Sequence, residues 1–298
     1  MSDFDLTSYL QSRRVLVDAA LERFLPPESA PPPVVHRAMR YSVMAGGKRL
    51  RPILVIAGAE AVGGHAEVVM PTACALELIH TYSLIHDDLP AMDDDDYRRG
   101  QLTSHKVFGE AIAILAGDAL LTLAFRLVAE NAAHVKDSRV ICDVVAEIAG
   151  AAGTGGMVGG QVVDIESEGK TVTPETLDYI HTHKTAALIR ASLRVGAMLS
   201  GARPAALEAI SAAGHFLGLA FQIVDDILDV EGSLEELGKT AGSDERKQKA
   251  TYPAVHGLDA SRRRARALLD EAQTALAPLG PAAVPVSALA DFIFERRS

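Results

Sequence analysis

The segment from His80 to Arg99 constrains the fold of this chain more than any other. Six of its positions are aspartates, Asp87, Asp88 and Asp93 to Asp96, and Arg98 and Arg99 follow them. Like charges this close repel one another unless cations or water neutralise them. The aspartates also end an apolar stretch that begins near Thr72. The fold therefore has to bury that stretch while its last turn faces positive charge.

The rest of the chain favours an all-α protein. Of its 298 residues, 48% are hydrophobic, which is ample for a large core. Ala, Leu, Glu and Arg recur at three- and four-residue spacing, and alternating β-branched runs are scarce. Because no linker is long enough to separate two domains, we predict a single domain over residues 1–298, built as a bundle of about ten or more helices.

Charge and composition exclude several classes of protein. A net charge of −10 argues against a nucleic-acid partner, whose binding surface has to be basic. The longest uncharged stretches fall short of the roughly 18 to 20 apolar residues of a membrane-spanning helix, so we predict no stable membrane insertion and a cytoplasmic location. Cys74 and Cys142 lie in apolar helical stretches and are predicted to be reduced, buried thiols.

Helical spacing brings the first acidic run together with other polar groups. His80, Ser83 and Asp87 are separated by three and four residues and share one face of a helix. Asp87 and Asp93 are six apart and would diverge on a regular helix. Pro90 should end or distort that helix, which can let the two carboxylates converge.

A second acidic patch ends another apolar helix. Asp225, Asp226 and Asp229 lie three and four residues apart and form a compact group. Negative charge opposes the dipole at a helix C-terminus, so fold stability alone gives no reason for three aspartates there. A single acidic run is usually a solvated loop, but two patches suit Mg²⁺ bound together with substrate phosphates.

Basic and glycine-rich segments complete the pattern. Six cations suit phosphate oxygens, namely Lys48, Arg51, Arg98, Arg99, Lys184 and Lys239. The segment from Gly153 to Asp164 lacks the flanks of a phosphate-binding loop. We predict a helix there, whose glycines permit close approach of a neighbouring helix or a ligand, with Gln161 and Asp164 on one face.

Taken in order, these motifs resemble the trans-isoprenyl diphosphate synthases from about Ala45 to the C-terminus. The matching segments are GGKRLRP at 46–52, DDLPAMD at 87–93 followed by Arg98-Arg99-Gly100, GMVGGQVVD at 156–164, HTHKT at 181–185, FQIVDDILD at 221–229 and GKT at 238–240. The resemblance implies a helical bundle around a central apolar cavity, a homodimer, and condensation of isopentenyl diphosphate with dimethylallyl or geranyl diphosphate. The ions would be several Mg²⁺, with Mn²⁺ as an alternative.

The resemblance also assigns roles by position. Asp87, Asp93 and Asp225 would bind the metal ions that hold the allylic diphosphate, supported by Asp88, Asp226 and Asp229. That diphosphate or its metals would contact Arg98, Lys184, Thr185, Gln222, Lys239 and Lys249, and Gln161 and Asp164 would line the site. Isopentenyl diphosphate would be held by Lys48, Arg51, His80 and Arg99.

Product length remains open between three short-chain products. Tyr82 and Ser83 lie five and four residues before Asp87. An aromatic residue at the first of these positions, with the longer first motif, resembles bacterial farnesyl diphosphate synthases, whereas Tyr82 as ordinary core leaves geranylgeranyl or geranyl product. Remoter alternatives are a class I terpene cyclase, which the DDILD motif disfavours, and a non-catalytic partner subunit, which two intact aspartate motifs disfavour.

Overall fold

A computed structural model describes residues 4–231 and 251–295 and confirms the all-α prediction. Its first helices are α1 (Leu6–Phe24), α2 (Pro33–Met44), α3 (Leu50–Glu60), α4 (Ala66–Asp87), α5 (Ser104–Phe108), α6 (Glu110–Glu130) and α7 (Arg139–Ala152). They are followed by α8 (Met157–Ser167), α9 (Pro174–Ile180), α10 (Ala187–Leu199), α11 (Pro204–Glu231), α12 (Tyr252–His256), α13 (Leu258–Leu276) and α14 (Val284–Glu295).

Shorter elements connect some of these helices. A π-helical turn at His181–Ala186 joins α9 to α10, and 3-10 turns occupy Asn131–Ala133 and Ala277–Ala283. Two antiparallel strands, β1 (Tyr97–Arg98) and β2 (Gln101–Leu102), form a hairpin beyond α4. Residues from Pro174 to the break at Gly201 form a continuous helical pattern in the sequence, so the π turn is a departure from the regular helix expected there.

The core consists of two groups of buried side chains with α3 and α10 between them. One group surrounds α4 and α6 and includes Leu76, Ile79, Leu120 and Leu127. The other surrounds α11 and α13 and includes Leu217, Ile223, Leu268 and Leu269. Glycines let α3 and α10 pack closely: a Cβ at Gly196 would lie 1.9 Å from the carbonyl oxygen of Val55. The two groups thereby hold α4 and α11, the helices that end in aspartates.

Two inferences from the sequence, one on membrane-spanning length and one on cysteine burial, require correction. By length and composition alone, five described helical segments could cross a membrane, namely Ala66–Asp87, Glu110–Ala133, Arg139–Ser167, Pro204–Glu231 and Leu258–Phe294. A lack of long uncharged stretches therefore does not exclude a helix of membrane-spanning length, because a helix can meet this criterion while carrying one or two charges. Most of Ala66–Asp87 is buried in the protein, as expected of a helix that is apolar on all sides. Cys74 is a buried free thiol, but Cys142 is exposed on α7.

Candidate active site

The first aspartate motif is folded back on itself at the end of α4. The helix ends at Asp87, and the chain then turns so that the backbone N–H of Asp93 donates to the carbonyl oxygen of Asp87 at 2.7 Å. Both carboxylates belong to half-exposed residues. The backbone therefore turns back towards Asp87 near Pro90, although the helix ends three residues before the proline, and the convergence of the two carboxylates stays a prediction.

Asp88 has a different environment from its neighbours. It is buried, with 3% of its surface exposed, and accepts hydrogen bonds from Arg98 on β1, where the Nη2 to Oδ1 distance is 2.6 Å. Burial raises the pKa of Asp88, and the contact with Arg98 opposes that rise. This pair fixes Arg98, and with it the hairpin, against the end of α4.

The second motif lies on the last turns of α11. Asp225 and Asp229 are half-buried, whereas Asp226 is 4% exposed. Its carboxylate accepts from the side-chain amide of Gln222 at 2.8 Å and from the backbone N–H of Tyr252 at 2.7 Å, and it lies 3.3 Å from His181 Nε2. Asp226 thus joins α11 to the π turn and to the start of α12.

The π turn places Lys184 and Thr185 between the two motifs. Lys184 Nζ lies 2.5 Å from the carboxylate of Asp164 on α8, and the Thr185 hydroxyl donates to Gln222 at 2.7 Å. A single π turn within a helical region often marks a functional site. Here it changes the direction in which these two side chains leave the helix that continues as α10.

Glycines allow the π turn to be packed from both sides. A Cβ at Gly160 on α8 would lie 2.2 Å from the backbone nitrogen of Lys184, and one at Gly218 on α11 would lie 2.5 Å from Ala186 Cα. The predicted close approach at the glycine-rich segment is confirmed for Gly160. The predicted helix begins only at Met157, so Gly153 to Gly156 precede it. On α8, Gln161 donates to Asp87 at 3.1 Å, which completes a chain of contacts from one motif to the other.

The basic turn before α3 has an unusual backbone. Gly46, Gly47 and Arg49 all have positive φ, which costs a non-glycine residue about 1 to 3 kcal/mol. Arg99 donates to the carbonyl oxygen of Gly46, and a Cβ at Gly47 would lie 2.7 Å from the Arg99 guanidinium. Glycine at position 47 therefore allows Arg99 to lie against the turn that carries Lys48.

Burial and, to a lesser extent, the neighbouring positive charges lower the pKa values of Arg51 and His80. Burial lowers the pKa of Arg51 to about 10, and Glu77 opposes the shift. The Arg51 Nε atom is buried and has no hydrogen-bond partner. Burial, followed by the charges of Arg51 and Arg99, holds the pKa of His80 well below its ordinary value. An anion is the ligand that such a group of donors and cations can bind.

Three charged residues beside this turn, Arg49, Asp18 and Glu77, were not recognised as candidates in the sequence. Arg49 is 3% exposed and makes ion pairs with Asp18 on α1 and Glu77 on α4, both at 2.8 Å. In the sequence, Arg49 looked like one more cation of a basic turn. Glu77 was a usable signal, because a lone acid within an apolar helix needs a buried partner.

Tyr82 and Ser83 lie one turn before the first motif. Tyr82 is 8% exposed, and its ring lies edge-on to His86, with 5.7 Å between centroids. His86 in turn contacts α6, with its Nε2 atom 3.1 Å from the carbonyl oxygen of Ile114. The hydroxyl of Ser83 donates to the carbonyl oxygen of His80 at 2.9 Å. Tyr82 is therefore held in the packing between α4 and α6.

Several predicted residues lie outside the described ranges. Lys239, Lys249, the GKT segment at 238–240 and the C-terminal Arg296 and Arg297 are all among them. Their placement in the site stays a prediction.

The carboxylates suit divalent cations in chemical type. In the described part of the chain, one group of three acidic or histidine ligand atoms lies within 4.8 Å of one another, from Asp94, Asp96 and His105. Asp87, Asp93 and Asp225 do not form such a group there. Carboxylate oxygens are the ligands with which proteins usually bind Mg²⁺ together with substrate phosphates.

Comparison with known proteins identifies the family. Residues 32–277 match the sequence profile of the polyprenyl synthetases. The chain is 51% identical to a dimethylallyltranstransferase of Fischerella ambigua (98% of this chain, 84% of the relative), and 46% identical to the farnesyl diphosphate synthase of Geobacillus stearothermophilus (92% of each). The crystal structure of the geranylgeranyl pyrophosphate synthetase from Pyrococcus horikoshii superposes with a TM-score of 0.87 at 33% identity, over 98% of each chain.

One of these relatives is named for a transferred dimethylallyl group, and the other two are named for different products, farnesyl and geranylgeranyl diphosphate. The structural match places the helical bundle described above in the isoprenoid synthase fold. Prenyl chain elongation by a trans-prenyltransferase is the activity that the family match and the relatives support. The chain therefore belongs to the polyprenyl synthetase family, the trans-isoprenyl diphosphate synthases that its motifs resemble.

Proposed function

We propose that this protein condenses isopentenyl diphosphate with dimethylallyl and then geranyl diphosphate to give farnesyl diphosphate, with Mg²⁺ as its metal. The observation that carries the proposal is the chain of contacts between the two aspartate motifs. It runs from Asp87 through Gln161 and Asp164 on α8 to Lys184, and from Thr185 through Gln222 to Asp226. Such a frame can hold carboxylates and cations around one diphosphate.

Charge stabilisation of the leaving group is the chemical basis of the reaction. Mg²⁺, when bound by Asp87, Asp93 and Asp225, supplies positive charge to the departing diphosphate. Arg98 and Lys184 add fixed cations, and Asp88 and Asp164 hold these two side chains in position. A charged group that is already oriented costs no reorganisation when the allylic carbon–oxygen bond breaks.

The second substrate would occupy the basic turn. Lys48, Arg51, Arg99 and neutral His80 offer donors to the diphosphate of isopentenyl diphosphate. The double bond of that substrate attacks the allylic cation and forms the new carbon–carbon bond. A proton then leaves the neighbouring carbon for the released diphosphate, so no side-chain base is needed.

Tyr82 would limit the product to fifteen carbons. Its buried ring, supported by His86 against α6, lies one helical turn from the first aspartate. A large rigid side chain at that depth would stop a growing prenyl chain, whereas a small one would leave room for another five-carbon unit. Geranylgeranyl product is the main alternative, because the relatives are named for both products.

Product analysis tests this assignment. Purified protein with Mg²⁺ and labelled isopentenyl diphosphate would receive dimethylallyl, geranyl or farnesyl diphosphate, and the dephosphorylated alcohols would be separated. We expect farnesol from the first two substrates and no extension of the third. Geranylgeraniol from the unaltered protein would overturn the product assignment, and no condensation with any substrate would overturn the function.

Two substitutions at one position sharpen the test. Tyr82→Ala should lengthen the product, because it removes the ring beside His86. Tyr82→Phe keeps the ring and should leave farnesol as the product. An identical product spectrum in both variants would show that Tyr82 does not limit the length of the product.

We also propose that the protein is a homodimer associating through α6 and α7. Ile114 and Leu115 are exposed on α6, and α7 exposes small residues such as Ala149 and Gly150. The Leu115→Glu variant should shift the mass measured by light scattering from dimer to monomer. The Val15→Glu variant, which alters an exposed apolar residue on α1, is the matched control. A monomeric unaltered protein would contradict the proposal.

We further propose that the protein acts in the cytoplasm without membrane insertion. Much of the apolar surface of α4 is taken up by the core rather than offered to lipid. After cell lysis and ultracentrifugation, the protein should remain in the supernatant. Recovery only with detergent would contradict this.

A further inference from the structure

Arg49 lies at the centre of the basic turn, but its side chain points into the protein. Its Nη2 donates to the carbonyl oxygen of Val43 at 2.8 Å, in addition to the ion pairs with Asp18 and Glu77. Burial disfavours its charge, but Glu77 and Asp18 outweigh that effect and raise its pKa. The guanidinium thus connects α1, α2 and α4 at one point.

This connection explains the backbone of the turn. Arg49 adopts the left-handed conformation, with φ of 51°, which a residue with a large side chain keeps only when its surroundings enforce it. Three hydrogen-bonded partners on three helices provide that constraint. With Arg49 held inward, Lys48 on one side and Arg51 on the other are fixed relative to the protein interior.

Glu77 also connects this arrangement to His80. It is 1% exposed and lies on α4 three residues before His80, hence on the same face of the helix. It is also the nearby negative charge that opposes the loss of charge on Arg51. One buried carboxylate therefore balances the positive charges of Arg49 and Arg51 and lies on the same face of α4 as His80.

We propose that the buried Asp18–Arg49–Glu77 triad positions Lys48, Arg51 and His80 for isopentenyl diphosphate and so sets the affinity for that substrate without affecting the allylic one. The proposal rests on the function proposed above for those three residues. It gives α1 a role in substrate binding, although Asp18 precedes the segment that matches the family profile. Arg49, Glu77 and Asp18 are thereby positioning residues, because their charged groups are paired within the triad and those of Arg49 and Glu77 are buried.

A purely structural role is the competing explanation. Removing one partner of a buried ion pair destabilises a protein, whereas replacing both with apolar residues is often tolerated. A structural role predicts that any weakening of the triad lowers stability and affects both substrates alike. A positioning role predicts a selective change in the KM for isopentenyl diphosphate.

The experiment uses two pairs of matched variants in the full-length protein. Asp18→Asn removes one carboxylate charge from the triad, and Arg13→Met removes the separate ion pair between α1 and Glu60, whose atoms lie 2.6 Å apart. The double variant Arg49→Met with Glu77→Leu removes the central pair, and Arg194→Met with Glu147→Leu removes a less buried pair of the same chemical type and the same 2.8 Å distance between α10 and α7. Each is assayed for kcat, for both KM values, and for melting temperature.

We expect the Arg49/Glu77 double variant to raise the KM for isopentenyl diphosphate about tenfold or more, and Asp18→Asn to raise it about threefold. The KM for geranyl diphosphate should stay within about twofold of its original value. Both control variants should leave both KM values unchanged. If the double variant does not fold, Asp18→Asn against Arg13→Met decides the question on its own.

Two results would overturn the inference. One is an unchanged KM for isopentenyl diphosphate in Asp18→Asn and in the double variant, if that variant folds. The other is a parallel rise in both KM values. Failure of the proposed function is a different result, since the unaltered protein would then condense nothing and would not bind isopentenyl diphosphate in calorimetry.

Discussion

The two aspartate motifs have similar sequences but reach their arrangement by different routes. In the first, α4 ends at Asp87 and a turn brings Asp93 back to it. In the second, α11 continues to Glu231, and the helix itself spaces Asp225 and Asp229. A helix supplies the second geometry from local hydrogen bonds alone, whereas the first depends on a turn beyond the helix end.

The middle aspartate behaves alike in both motifs. Asp88 and Asp226 are both buried and bonded to a neighbouring element. Asp88 contacts Arg98 on β1, whereas Asp226 contacts His181 and Tyr252 as well as Gln222 on its own helix. The outer aspartates are half-exposed. From this comparison we propose that the outer carboxylates bind metal ions and that the middle ones hold the neighbouring elements in place.

The largest expected effect is a loss of activity when an outer aspartate, Asp87 or Asp225, is replaced. Asp87→Ala and Asp225→Ala should each lower kcat/KM about a thousandfold or more, because several kcal/mol of charge stabilisation by Mg²⁺ is lost. Melting temperatures should change little. Steady-state kinetics with a Mg²⁺ titration gives the answer, with the exposed Asp259→Ala as control. Activity within tenfold of the unaltered protein would contradict the proposed metal-binding role of the outer carboxylates.

The second-largest expected effect is a loss of stability at Asp226, the middle aspartate of the second motif, compared with Asp229. Asp226→Ala leaves a buried N–H and two side chains without their acceptor, so the free energy of unfolding should fall by about 2 to 4 kcal/mol. Asp229→Ala, three residues away, relieves repulsion and should cost almost nothing. Urea unfolding measures both. Equal stability of the two variants would mean that the buried Asp226 contributes no more to folding than the half-exposed Asp229.

Charge around the first motif gives a smaller, pH-dependent effect. The pKa of His80 is lower in the folded state than in the unfolded chain. The neutral ring therefore contributes stability that is fully present above about pH 6.5 and is lost as the pH falls towards the lowered value. The difference in unfolding free energy between the unaltered protein and His80→Gln should shrink between about pH 7.5 and pH 5. Parallel pH profiles would contradict this.

The smallest effect concerns the link between the motifs. Thr185→Val removes the hydrogen bond to Gln222 and should cost about 1 kcal/mol of stability. It should also raise the KM for the allylic substrate a few-fold. Thr185→Ser keeps the hydroxyl group and is the control. If both variants behave like the unaltered protein, the contact between the π turn and α11 contributes little to the site.

Much of the site could be located from sequence because its signals are local. Charge repulsion among adjacent aspartates, the effect of Pro90 on a helix and three- and four-residue spacing all act within one or two turns. They predicted the helices that carry both motifs, and the return of Asp93 towards Asp87 is confirmed. The roles of Lys239 and Lys249 stay predictions, since they lie outside the described residues.

Two errors of the sequence interpretation, at Cys142 and at the π turn, share one cause. Cys142 is exposed although it lies in a mainly apolar stretch. The π turn at His181–Ala186 interrupts a sequence pattern that favours regular helix. Both depend on which other helix packs against the segment. Periodicity shows that a face is apolar, but not whether a partner covers it.

The sequence by itself determined that this chain is helical, that carboxylates end two apolar helices, and that cations are present to meet phosphate. Tertiary structure alone decided which of those charges are buried. Arg49 and Arg51 lie two residues apart, yet Arg49 is bonded to carboxylates from two other helices while Arg51 Nε has no hydrogen-bond partner. The physical reason is that the energy of a charge depends on its solvation and its partners, and both are set by residues distant in sequence.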